Sequence, residues 1–129
     1  MFALTDSNGL FHIVPIQRKN ASGKLEKIIP LLDTPVNIPP GRRNGMELLL
    51  EIRRSLTSQT GNLVMGPAGG SNALANQNTE IGSGPNETAR SLLSRFFAEM
   101  ARPRPLSWYL LCEGSGDCAL NVHVVNVGK

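Results

Sequence analysis

Asn86-Glu87-Thr88-Ala89-Arg90-Ser91-Leu92-Leu93-Ser94-Arg95-Phe96-Phe97-Ala98-Glu99-Met100 is the stretch on which the fold turns. Ala89, Leu92, Leu93, Phe96, Phe97 and Met100 recur at the i, i+3, i+4, i+7, i+8, i+11 spacing of one helical face. Asn86 supplies an N-cap side chain, Glu87 stands at the positive end of the helix dipole, and Pro103 and Pro105 end the helix. Burying Leu92, Leu93, Phe96 and Phe97 contributes about 1.5–3 kcal/mol each, which makes this helix the anchor of the core.

C-terminal to it, Leu106, Trp108, Leu110 and Cys112 alternate on one face of a strand, and Cys118, Leu120, Val122 and Val124 alternate on the next. Pairing residues whose numbers sum to 230 sets Leu110 against Leu120, Trp108 against Val122 and Cys112 against Cys118. A non-hydrogen-bonded cysteine pair across the loop 113–117 brings the sulfurs within bonding reach. A disulfide there implies an oxidising compartment; two buried thiols in a reduced cytoplasmic protein are the alternative.

N-terminal to the anchor helix, a first helix spans about 44–60, with Met46, Leu49, Ile52 and Leu56 on its apolar stripe and Gly61 in the left-handed position that closes it. Residues 62–65 form a short strand, and 79–81 form another. The runs 2–4 and 10–14 form a hairpin about a turn at 6–9. Residues 17–27 read as a solvated loop or a longer turn. The span 28–32 is a strand and 36–38 continues extended, with Pro30, Pro35, Pro39 and Pro40 confining it to a sheet edge. The order of elements predicts an α+β fold: two strand-helix-strand halves forming a small mixed sheet with two helices on one face, plus the N-terminal hairpin. Leu49, Ile52, Leu56, Leu92, Leu93, Phe96, Phe97, Trp108, Leu110, Leu120 and Val122 are its expected core.

Length and composition bound the function. At roughly 150 residues per domain, a chain of 129 residues forms one compact unit, here an extension over 1–30 followed by a domain over 31–129. The longest uninterrupted apolar run, 108–112, is far short of a membrane span. No secretory leader opens the sequence, so the chain either stays in the cytoplasm or carries a leader upstream of Met1. Two cysteines exclude a disulfide-rich scaffold and an all-cysteine zinc site. His123 alternates with Val122 and Val124, away from the cysteine face, so a Cys/His dyad is geometrically poor, and His12 stands alone in an apolar strand. The loop 66–70 lacks the Lys-Ser/Thr of a P-loop. These residues predict no enzyme, no cofactor and no metal. Arg42, Arg43, Arg53 and Arg54 are the candidate contacts for an acidic partner, the alternative being solvated helix faces.

Residues 31–125 resemble the short secretin and TonB N-terminal domain. The matching pieces are Val36-Asn37-Ile38-Pro39, Ser58-Gln59-Thr60-Gly61 followed by Asn62-Leu63-Val64, the helix from Thr88 to Phe97, Leu106-Ser107-Trp108, and Leu120-Asn121-Val122. The link 66–84 is longer than the family's usual connection, and residues 1–16 lie outside the likeness. The resemblance implies a non-enzymatic adaptor in the periplasm or outside the cell, docking an envelope protein such as a receptor, an anti-sigma-type regulator or a secretion component. The expected docking element is an exposed sheet edge, 28–40 or 119–127, for which β-augmentation is one mode, or else a helix face. A small basic nucleic-acid-binding domain with a KH-like order of elements is the competing expectation, supported by a pI of about 9.2.

Overall fold

The computed structural model describes residues 1–7, 10–66, 74–100, 106–113 and 116–124. Over the described residues the fold is α+β, with two long helices, small sheets and an N-terminal hairpin. In order the elements are β1 (Phe2–Ser7), β2 (Leu10–Pro15), β3 (Gln17–Lys19), β4 (Leu25–Lys27), a 3-10 turn (Leu31–Asp33), β5 (Gly41–Asn44) and α1 (Gly45–Thr60). There follow β6 (Val64–Met65), β7 (Asn78–Ile81), α2 (Ala89–Met100), β8 (Leu106–Cys112) and β9 (Cys118–Val124).

Four small sheets share these strands: β1-β2, β3-β4, β5-β7 and β6-β9-β8. Only the last is mixed, because β6 runs parallel to β9 while β8 runs antiparallel to it. The β8–β9 register sums to 230 along its whole length, from Leu106–Val124 to Cys112–Cys118. Leu120 and Val122 therefore enter the core with Leu49, Ile52, Leu56, Leu92, Leu93, Phe96 and Phe97, all buried, while Trp108 and Leu110 pack against it half-buried.

Helix α1 starts where Asn44 caps it. The Asn44 side chain accepts from Glu47 N at 2.9 Å, and the Glu47 carboxylate accepts from Asn44 N at 2.9 Å, a reciprocal capping box. Gly61 ends the helix in the left-handed region at φ 74°, donating to Thr57 O.

The structure refines the sequence expectations at several points. The run 28–32 is not a strand: Pro30 has no N–H to give a ladder, and Asp33 N donates to its carbonyl to close the 3-10 turn. Of the two readings of residues 17–27 the longer turn holds: Arg18 pairs Glu26 by a 2.8 Å ion pair and Asn20 Oδ1 collects Ser22 N and Lys24 N, which builds a second hairpin. Residues 41–43, assigned to no element by the sequence, form β5 together with Asn44 on pairing with the distant 78–81. Asn86 is not the cap of α2. It sits at φ 53°, and Thr88 Oγ1 instead accepts from Ser91 N at 3.1 Å. Glu87 is held by Arg95, whose hydrogen bond keeps the carboxyl below its ordinary range.

Candidate functional site

The N-terminal hairpin carries two apolar faces, and only one is used by the fold. On the inner face His12 and Val14 are buried. Beneath them, Ser94 Oγ donates to Arg90 O at 2.8 Å, which leaves its lone pairs facing His12 Nε2 at 3.4 Å. The His12 ring lies 5.4 Å from that of Trp108. Arg90 reaches the same tryptophan at 5.8 Å and anchors the 3-10 turn through Nε to Asp33 Oδ1 at 2.6 Å. The hairpin is thus seated on α2 and β8 by one histidine at the centre of a small polar and aromatic cluster.

Burial and the neighbouring Arg90 guanidinium push the His12 pKa below the ordinary 6.5, and Asp33 and Asp6 act the opposite way. Above 6.5 the ring is neutral folded or unfolded, so the seat is intact. As pH falls from there through the lowered folded value, the unfolded chain takes up the proton first and the folded state loses stability. Urea midpoints taken from about pH 7.5 to 5, the range in which an ordinary histidine titrates, are therefore expected to fall more steeply for the wild type than for His12→Phe. Parallel curves for the two proteins would contradict this account of the seat.

On the outer face Phe2, Leu4, Phe11 and Ile13 are 67%, 69%, 72% and 74% exposed. The ladder places Phe2 opposite Pro15, Leu4 opposite Ile13 and Asp6 opposite Phe11, so these side chains stand on successive rungs of one surface. The hairpin runs on into the next one through Ile16, which donates to Met1 O and accepts from Ile28 N.

The four arginines are divided. Arg43 Nε pairs Glu51 at 2.8 Å and its Nη1 donates to Ile81 O, while Arg53 Nε donates to Val64 O at 3.0 Å. Arg42 and Arg54 are exposed. Arg54 borders an open groove of about 900 Å³ between α1, the extended 35–38 and the turn 83–86. Of the two expected edges, 119–127 is covered by β6 at its start, where Met65 pairs Ala119, while residues 120–124 pair only with β8 among the described residues. The other, 28–40, is tied down at alternate residues: Val36 N donates to Glu87 O and Ile38 N to Ser83 Oγ. Residues 125–127 lie outside the described residues, as does the side chain of His123.

Cys112 and Cys118 form a disulfide with Cα atoms 4.0 Å apart. Glu113 N donates to Asp117 O beside them, so the cysteines occupy the close, non-hydrogen-bonded rung. Bonded to each other, they offer no thiolate nucleophile. Among the described residues no three His, Cys, Asp or Glu side chains converge to hold a metal, and no described helix is long and apolar enough to cross a membrane.

The sequence predicts the hairpin but neither its exposed outer face nor the His12 seat. The available signal was that both faces of 10–14 are apolar or aromatic, whereas a strand with one solvated face alternates with polar residues. No family model, curated protein or solved structure matches the chain.

Proposed function

We propose that this chain is a non-enzymatic protein-interaction module of the bacterial cell envelope that docks through the outer face of its N-terminal hairpin. The exposed Phe2, Leu4, Phe11 and Ile13 carry this reading, because contiguous apolar surface of that kind marks interaction sites. The Cys112–Cys118 bond supports the compartment, since such bonds persist where thiols are kept oxidised. The resemblance of 31–125 to the short secretin and TonB N-terminal domain supports the adaptor class. Arg43 and Arg53 are occupied by the chain's own carboxylate and carbonyls, which weakens the case for a basic nucleic-acid surface.

The test joins thiol trapping in the native host with binding by two proteins, wild type and Phe11→Asp. An oxidised pair, together with protein binding that Phe11→Asp abolishes, is the expected result. Free thiols, or binding to polyanions that falls steeply with salt and ignores Phe11→Asp, would move the assignment to the nucleic-acid alternative.

A further inference from the structure

Resting on the reading of the hairpin as an interaction surface, we infer that its occupant is a second copy of this chain, packed face to face across the Leu4–Ile13 rung. The first argument is symmetry. An antiparallel ladder has a local two-fold axis normal to its plane, and through the Leu4–Ile13 rung that axis carries Phe2 onto Phe11 and Asp6 onto Pro15. The two phenylalanines thus occupy diagonal corners of the patch, and the smaller Pro15 and Asp6 occupy the other two. When a second hairpin is turned over onto the first about a dyad in the interface, each phenylalanine falls over a Pro15 or Asp6 corner. Large side chains meet small ones, and Leu4 and Ile13 meet at the centre. The patch is complementary to itself, as an isologous interface requires.

The second argument is area. At 67% and 72% exposed, each phenylalanine offers roughly 150 Å² and each aliphatic somewhat less, on the order of 500–600 Å² per copy. An occupant with a matching apolar face brings this to roughly 1,000–1,200 Å², the lower end of specific interfaces, and a second copy supplies such a face from the same residues. Charge is the third argument. The one ionisable side chain on these rungs is Asp6, which is exposed and lies at a corner, under the partner copy's phenylalanine and away from the Leu4–Ile13 centre. An acidic group there disfavours an anionic lipid surface and leaves the centre of the face neutral, so two copies meet without like charges opposed.

Sedimentation velocity on the full chain over a concentration series is the test. The wild type is expected to pass from 13.9 kDa to twice that mass, with a dissociation constant on the order of 10 μM for an interface this small. Phe11→Asp is expected to weaken association about 30-fold or more. Ile13→Lys should do the same, and since both positions face solvent, the far-ultraviolet spectrum should be unchanged. A chain that stays at 13.9 kDa at every concentration, or self-association indifferent to both variants, overturns the inference. Placing the photo-crosslinker p-benzoylphenylalanine at position 11 in the native host separates its failure from that of the underlying reading. An adduct of two chains supports the second copy, and an adduct with a different protein overturns it while the interaction reading stands. Co-sedimentation of the monomer with phosphatidylglycerol vesicles, without any protein adduct, overturns both.

Discussion

Phe96→Ala is expected to cost about 3–5 kcal/mol, toward the top of the range for a truncated core aromatic. The side chain is fully buried, and its ring meets that of Phe97 edge-on at 5.5 Å and 60°. The size of the effect depends on whether the walls can close over the space left behind, and here they cannot. Gly45, the first residue of α1, has no Cβ because one would sit 3.1 Å from Phe96 Cζ and 3.0 Å from Leu74. That backbone is held by the capping box on Asn44 and Glu47, so it does not slide inward when the ring is removed. Against a total stability of about 5–15 kcal/mol for a typical domain, such a loss leaves the fold marginal. With a urea slope of about 1–3 kcal/mol/M, the midpoint should fall by roughly 2 M. Phe96→Leu should cost only about 1–1.5 kcal/mol, because most of the volume is kept. A Phe96→Ala midpoint within about 0.5 M of wild type would mean that α2 does not pack against the start of α1 as described.

Reducing the Cys112–Cys118 bond should destabilise the chain by about 2 kcal/mol, the loop-closure contribution of so short a ring. For a chain of this length that corresponds to a drop in Tm of roughly 6–10 °C. Scanning calorimetry with and without reductant measures it, and the Cys112→Ala/Cys118→Ala protein should be insensitive to reductant. The damage should also have a direction. Leu63 N donates to Asp117 Oδ1 at 3.1 Å, and Cys118 N donates to Leu63 O at 2.9 Å. The cross-linked loop is thus the seat of β6, whose ladder is only two residues long. Amide exchange at 63–65 should rise on reduction before exchange in α1 or α2 does, and uniform acceleration across all three would show that the bond acts on the unfolded chain alone.

Elements with a strong local pattern were legible in the sequence. Helix α2 has six apolar residues at helical spacing, and β8 and β9 share a single register that buries their apolar faces, so period and pairing agreed. What escaped depends on partners far along the chain. β5, Gly-Arg-Arg-Asn, has no apolar or β-branched residue to mark it as a strand and becomes one because Gly41–Asn44 meets Asn78–Ile81. At Gly82 a Cβ would lie 2.7 Å from the Pro40 backbone, so these two segments approach more closely than any local propensity records. The N-cap of α2 was misplaced because Asn86 and Thr88 are both good caps, and the choice is made by the bridge between Pro35 and Thr88 and by Ala89 N donating to Thr34 O. The candidate site was the least legible part. An isolated histidine in an apolar strand shows its role only when Ser94, 82 residues away, is brought beneath it.

The paired cysteines also bear on how the chain matures. They are the only two in the sequence, so within one molecule there is a single way to join them and no wrong isomer to be reshuffled. They lie six residues apart across a hairpin whose contacts are local, which forms without waiting for the parallel β6–β9 pairing or the docking of the N-terminal strands. Oxidation can therefore precede completion of the fold and pre-organise its last sheet. Closing this bond should require an electron acceptor for two thiols, and no other cysteine of these 129 residues competes for either partner.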